Sequence, residues 1–178
     1  MIAPSTKGWE YRLYPGDLPA TQFGHFKSFV DLWRSKFQNE TYPSWRDFKF
    51  EELEEWWGRM SLAEIKTDPL DLEFILWGTK LTNWWGVDFT KKKMSESYER
   101  RQENWRLYEG PYFQSLIDHM GIGMVSGTLL LLERGFVNVQ GVDLLLAQEG
   151  KISRVLSCYI SLEPDQFKFP ETEPILDI

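Results

Sequence analysis

Three apolar or alternating runs fill the last third of the chain: Met124 to Leu132, Val137 to Ala147 and Ile152 to Leu162. Glu133-Arg134-Gly135 and Gln148-Glu149-Gly150-Lys151 separate them. Runs of this kind, cut by short polar breaks that contain glycine, predict an antiparallel meander. In the last run Ile152, Leu156, Cys158, Ile160 and Leu162 share one face, broken only by Arg154, while Ser153, Ser157 and Ser161 point the other way. A period of two places these sets on opposite sides of a strand, and the apolar side is expected to be the core face.

Upstream, Met60 to Thr67 and Leu72 to Thr79 flank Asp68-Pro69-Leu70-Asp71, whose proline suits a turn, so the pair is expected to form a β-hairpin. Between hairpin and meander the pattern turns helical. Lys80 to Trp85 predicts a short helix ending at Gly86, and Thr90 to Ser95 predicts connecting structure. A longer helix is expected from Glu96 to Tyr108, interrupted by Gly110-Pro111, and another from Tyr112 to Met120 that stops at Gly121. Two strands, a helical middle and three strands make an α+β chain with a five-stranded antiparallel sheet.

Ahead of the hairpin, Pro4, Gly8, Pro15, Gly16 and Pro19 punctuate the first twenty residues and predict an irregular arm. From Thr21 to Gln38, Phe23, Phe26, Val30, Trp33 and Phe37 recur at helical spacing and predict an amphipathic N-terminal helix. Such a stripe must dock on its own domain or on a second copy of the chain. Phe26, Val30, Trp33 and Phe37 are therefore the candidates for a homodimer interface. Glu51 to Trp57 reads as a further short helix closed by Gly58. The expected boundaries are an arm at 1–20, one domain at 21–163 and a tail at 164–178.

A length of 178 residues suits one such domain. The net charge of -7 disfavours a nucleic-acid partner, whose affinity comes mostly from clustered Lys and Arg. Lys91-Lys92-Lys93 and Arg100-Arg101 are blunted by Glu96, Glu99 and Glu103 and read as solvated surface. Cys158 is the only cysteine, which fits a reducing cytoplasm. Met1 to Gly8 has no apolar run of signal-peptide length, and the longest fully apolar run, Leu129 to Leu132, is far short of a membrane span. The expected chain is soluble, cytoplasmic and without a membrane partner.

Three segments resemble the PAS-like family of small bacterial proteins. The first is Pro43-Ser44-Trp45-Arg46-Asp47-Phe48, after a helix carrying Leu32-Trp33. The second is Phe74-Ile75-Leu76-Trp77-Gly78-Thr79 with Trp85-Gly86-Val87-Asp88-Phe89-Thr90, similar to a strand ending in Gly-Thr and then a Gly-x-Asp-x-Thr turn. The third is Leu144-Leu145-Leu146, Gly150 and Arg154-Val155-Leu156, similar to the family's Leu-Pro-Leu strand, glycine turn and Arg-aliphatic-Leu strand. The likeness spans about Phe23 to Leu162. It departs at Leu145, where proline is commoner, and at Ile75, where a basic residue is expected.

The resemblance implies a non-enzymatic sensory domain that binds a small molecule between sheet and helices and signals through a regulatory protein partner. A protein-interaction or homodimerisation module with a filled core is the alternative, and an enzyme is a third reading. His25 and His119 are the only histidines, with no Gly-x-Ser-x-Gly elbow beside them, so no catalytic residue is assigned. One cysteine far from both histidines gives no metal-ligand spacing. PAS relatives hold haem, flavin or small metabolites, and the cofactor here is left open. Trp77, Trp84, Trp85, Trp105 and Tyr112 around the helical middle, with His119 at a helix end, are the ligand-pocket candidates.

Overall fold

The computed structural model describes residues 9–96, 101–131 and 135–178. Met1 to Gly8, residues 97–100 with Glu99 and Arg100, Leu132 at the end of the first run and Glu133-Arg134 of the first meander break lie outside the described residues. The strands are β1 (Trp9–Tyr14), β2 (Met60–Lys66), β3 (Asp71–Trp77), β4 (Ile122–Leu131), β5 (Gly135–Gln148), β6 (Lys151–Ser161) and β7 (Leu176–Asp177). They form one antiparallel sheet in the order β3-β2-β6-β5-β4-β1-β7. Hairpin and meander are both present, and β2 joins them by pairing with β6 from Met60↔Cys158 to Glu64↔Arg154.

The sheet has seven strands rather than the expected five. Strand β1 lies inside the stretch expected to be an irregular arm, and β7 lies inside the tail and pairs with β1. The reason is local. Residues 9–14 contain no proline or glycine and alternate, with Tyr11 and Leu13 on one face and Tyr14 on the other, so the punctuation residues flank a strand instead of preventing one.

Both faces of the sheet are buried, which corrects the expectation of a single core face. Val142, Leu144, Leu146, Leu156 and Cys158 point into one apolar cluster, and Val139, Leu145 and Val155 point into the other. The first cluster is covered by residues 20–56. There the single helix expected over Thr21 to Gln38 gives way to a 3-10 segment, Ala20–Phe26, followed by α1 (Lys27–Ser35). Gly24 makes the break, with φ 53° and ψ -117°, a conformation that side-chain-bearing residues rarely adopt.

Phe26, Val30 and Trp33 are 1%, 0% and 1% exposed, packed against Met60, Leu62, Val142 and Leu156. At ~1.5–3 kcal/mol for each large side chain buried, they anchor α1 to its own sheet. In the folded chain these three are covered by its own sheet. Phe37, the fourth, is half-buried.

The second cluster is covered by α2 (Thr79–Trp85), by residues 105–109 that follow α3 (Arg101–Asn104), and by α4 (Gly110–Asp118). Gly110-Pro111 does not interrupt the helical run. Residues Trp105–Glu109 form a π-helical turn, and the Gly110 N–H reaches back to the Trp105 carbonyl. Proline then falls in the first turn of α4, next to the π-helical turn.

Candidate functional site: an aromatic layer between sheet and helices

Two β-bulges decide which side chains meet in the helix-covered face. The β2–β3 register runs Ala63↔Phe74 and then Leu62↔Leu76, leaving Ile75 as the extra residue, 43% exposed. Uninterrupted alternation from Leu72 and Phe74 would send Trp77 to the opposite face. The bulge returns it to the face of Phe74, where it is buried. On β6 the register passes from Leu146↔Arg154 to Ala147↔Ile152, and this shift carries Ile152 into the same layer, away from the face expected for it.

Around Trp77 the rings pack edge to face: Phe74 at 4.9 Å, Phe89 at 4.8 Å and Trp85 at 5.3 Å between centroids. Trp85 continues the layer to Tyr159 at 5.2 Å and to Trp9 at 6.4 Å. Tyr112, from α4, stands 5.3 Å from Tyr11 and 4.9 Å from Phe113. Perpendicular and offset contacts of this kind suit the ring quadrupole and fix each ring's orientation.

Glycines in the sheet admit these rings. A Cβ at Gly123 would lie 1.8 Å from the Tyr112 hydroxyl oxygen, and one at Gly141 would lie 2.5 Å from the Tyr159 ring. Both hollows are therefore occupied by side chains of the chain itself.

Polar groups are few and deeply placed. Asp143 on β5 accepts from the Tyr112 hydroxyl at 2.7 Å through Oδ2 and from the Ser157 hydroxyl at 2.5 Å through Oδ1. Burial pushes the Asp143 carboxyl up to about 6, against the two hydrogen bonds that favour its ionised form. Burial also raises Tyr112 well above the ordinary phenol value, with the Asp143 charge acting in the same direction. Tyr11 donates to Glu109 at 3.3 Å in the same layer. The Trp77 Nε1–H is buried and has no hydrogen-bond partner among the described residues.

Of the residues singled out from sequence, Trp77, Trp85 and Tyr112 are buried together in this layer, and Trp84 and Trp105 pack at its margin. His119 is not among them. It follows α4, with Nδ1 2.9 Å from the Ser115 carbonyl, and lines a separate cleft with Trp33 and Phe37. Sequence reasoning missed Trp9, Tyr11, Glu109, Asp143, Ser157 and Tyr159. Asp143 carried a signal, being the one charged residue in the run Val137 to Ala147.

Cys158 is fully buried on the opposite face, and burial pushes its thiol up to about 12, far from a reactive thiolate. Among the described residues no group of three or more His, Cys, Asp or Glu side chains is arranged to hold a metal ion. What the layer offers chemically is aromatic surface, the buried carboxyl groups of Asp143 and Glu109, and an indole donor.

No family model matches the chain, and no curated protein matches it. Among solved structures, an RNA-binding light-oxygen-voltage receptor is similar at 13% identity and a TM-score of 0.45. The alignment covers 90% of this chain and 40% of that one. A likeness this distant carries neither the receptor's fold nor its activity over to this chain, which is defined by its own geometry as an α+β domain with a seven-stranded antiparallel sheet.

Proposed function

We propose that the chain is a non-enzymatic, PAS-like sensory domain that binds a small molecule in the aromatic layer and signals its occupancy through a regulatory protein partner. Trp77 carries the reading. A buried indole N–H without an acceptor is costly, and a ligand bearing a carbonyl, ring nitrogen or other acceptor beside it would remove that cost. The order of hairpin, helical middle and meander in one sheet is the order that the PAS resemblance implies. The net charge of -7 keeps nucleic acid outside the proposal. Among the described residues no helix is long and apolar enough to cross a membrane, and the reading places the domain in the cytoplasm.

A second reading, an interaction module with a filled core, is favoured by the glycine hollows at 123 and 141, which the chain's own rings occupy. Native mass spectrometry of the purified chain separates the two. Ligand binding predicts a non-covalent mass increment that is lost on denaturation and reduced in Trp77→Phe, which keeps a ring and removes the donor. A bare mass, with no thermal shift from a broad metabolite panel, sinks the sensory reading and leaves the interaction module.

A further inference from the structure

Away from the aromatic layer, a cleft of about 580 Å³ opens where the Pro15–Asp17 turn, the end of α1, the 39–42 segment and the His119–Met120 turn meet. Its volume lies in the range of small-molecule sites. Trp33, Phe37 and Tyr42 form its floor, with ring centroids 4.7, 5.8 and 4.8 Å apart. Met120 and Ile175, 37% and 43% exposed, give it apolar walls.

The floor is preformed, and its polar tips are already used. Trp33 Nε1 donates to the Leu145 carbonyl at 2.9 Å, and the Tyr42 hydroxyl donates to the Met120 carbonyl at 2.6 Å. Side chains fixed at both ends lose little freedom when a ligand arrives. Phe37 and Tyr42, both half-buried, present ring surface to the cleft, with Trp33 behind them at 1% exposure.

Around the floor the free hydrogen-bonding groups are mostly acceptors. Asp17 and Glu40 are exposed carboxylates. His119 donates its Nδ1–H to the Ser115 carbonyl, which can only accept, and so its orientation in the lining is fixed. Asn39 serves either role. Arg34 is the cation of the lining, but its Nη2 is held by the carbonyls of Gly16, at 3.0 Å, and Leu18. Asp31, outside the lining, is ion-paired with Lys27 at 2.6 Å, so within the lining the carboxylates of Asp17 and Glu40 outnumber the Arg34 guanidinium two to one.

We propose that this cleft is a second binding site and takes a small organic cation, an ammonium group on an apolar body. Aromatic faces attract a cation electrostatically, the two carboxylates supply its counter-charge, and Met120, Ile175 and Pro15 accept the apolar body. The site is distinct from the aromatic layer around Trp77, and neither depends on the other.

The test uses the full chain labelled with 13C at its methionine methyl groups, of which the sequence has five. Met120 reports on the cleft and Met94 on the aromatic layer. The probes are phenethylamine and tryptamine, their alcohols 2-phenylethanol and tryptophol, and their acids 3-phenylpropionate and indole-3-propionate. At least one amine is expected to shift the Met120 methyl and to bind about tenfold more tightly than its alcohol, with the acid weaker still. Asp17→Asn with Glu40→Gln should reduce that preference to near unity while leaving the melting temperature and the alcohol's affinity in place. The proposal is overturned if no amine shifts Met120, if the acids shift it as strongly, or if the preference survives the double substitution. A probe that shifts Met94 and not Met120 would support the aromatic-layer reading and overturn this one.

Discussion

The hydroxyl of Tyr112 donates to Asp143 at 2.7 Å and ties helix α4 to the middle of strand β5. Ser157 on β6 supplies the other donor to the same carboxyl, so three elements converge on one buried group. Tyr112→Phe keeps the ring and deletes one of the two donors. It should lower unfolding stability by ~1–3 kcal/mol, the cost of leaving a buried acceptor short of a partner. Urea denaturation at neutral pH measures this. Because the Tyr112 bond holds the Asp143 carboxyl down, the variant should also show Asp143 titrating higher than in the parent.

Asp143 itself should leave a signature in the pH dependence of stability. Its carboxyl is raised to about 6 in the folded chain, against ~3.9 when unfolded. Between those values the folded state holds more protons than the unfolded one. The contribution is therefore fully present below about pH 4 and is lost as pH rises through about 6. Two pKa units correspond to ~3 kcal/mol, an upper figure for one buried group. Asp143→Asn cannot titrate, so the stability difference between parent and variant should change by up to that amount from pH 4 to 7. A flat difference across the range would show that the carboxyl is not held as described.

Cys158 predicts a chemical result. A thiol that is 0% exposed and pushed up to about 12 carries almost no thiolate at neutral pH. In the native chain it should not react with a disulfide-exchange reagent over a time in which the urea-unfolded chain reacts completely. Rapid labelling under native conditions would place the thiol at a surface.

The hairpin and the meander were legible because each signal is local: runs of period two bounded by turn residues. The spatial link between them was not, since the pairing of β2 with β6 joins residues far apart in sequence. Trp77 and Tyr112 were found as aromatic residues of the helical middle, but what places Trp77 is the bulge at Ile75, and no residue type there announces a bulge. Asp143 was visible as a charge in an apolar run, and its partners Tyr112 and Ser157 were not, because they come from different elements. Strand β1 was hidden by counting prolines and glycines over twenty residues when the six that form it contain neither. The PAS resemblance rests on short motifs whose glycines and aromatic residues also have structural roles here: Gly86 ends α2 in the left-handed conformation, and Trp77, Trp85 and Phe89 pack on one another.

The stripe Phe26, Val30, Trp33 and Phe37 reads as uniform in sequence and is not uniform in the fold. Phe26 is 1% exposed and sits where the 3-10 segment meets α1, inside the cluster that includes Phe23, Phe29 and Met124. Phe37 is half-buried at the edge of the same cluster and leans on Trp33 and Tyr42. Truncating Phe26 to Ala removes a ring from a closed interior and should cost ~3–5 kcal/mol, the usual figure for a buried phenylalanine. Phe37→Ala opens onto solvent, so water and neighbouring side chains fill the space and the loss should be clearly smaller. Neither substitution is expected to change the sedimentation coefficient across protein concentration, because α1 meets its own sheet with this face. Chemical denaturation and sedimentation velocity on the two variants check both points. Equal stability losses would contradict the burial difference, and a shift toward monomer in Phe26→Ala would return the stripe to the role of a dimer interface.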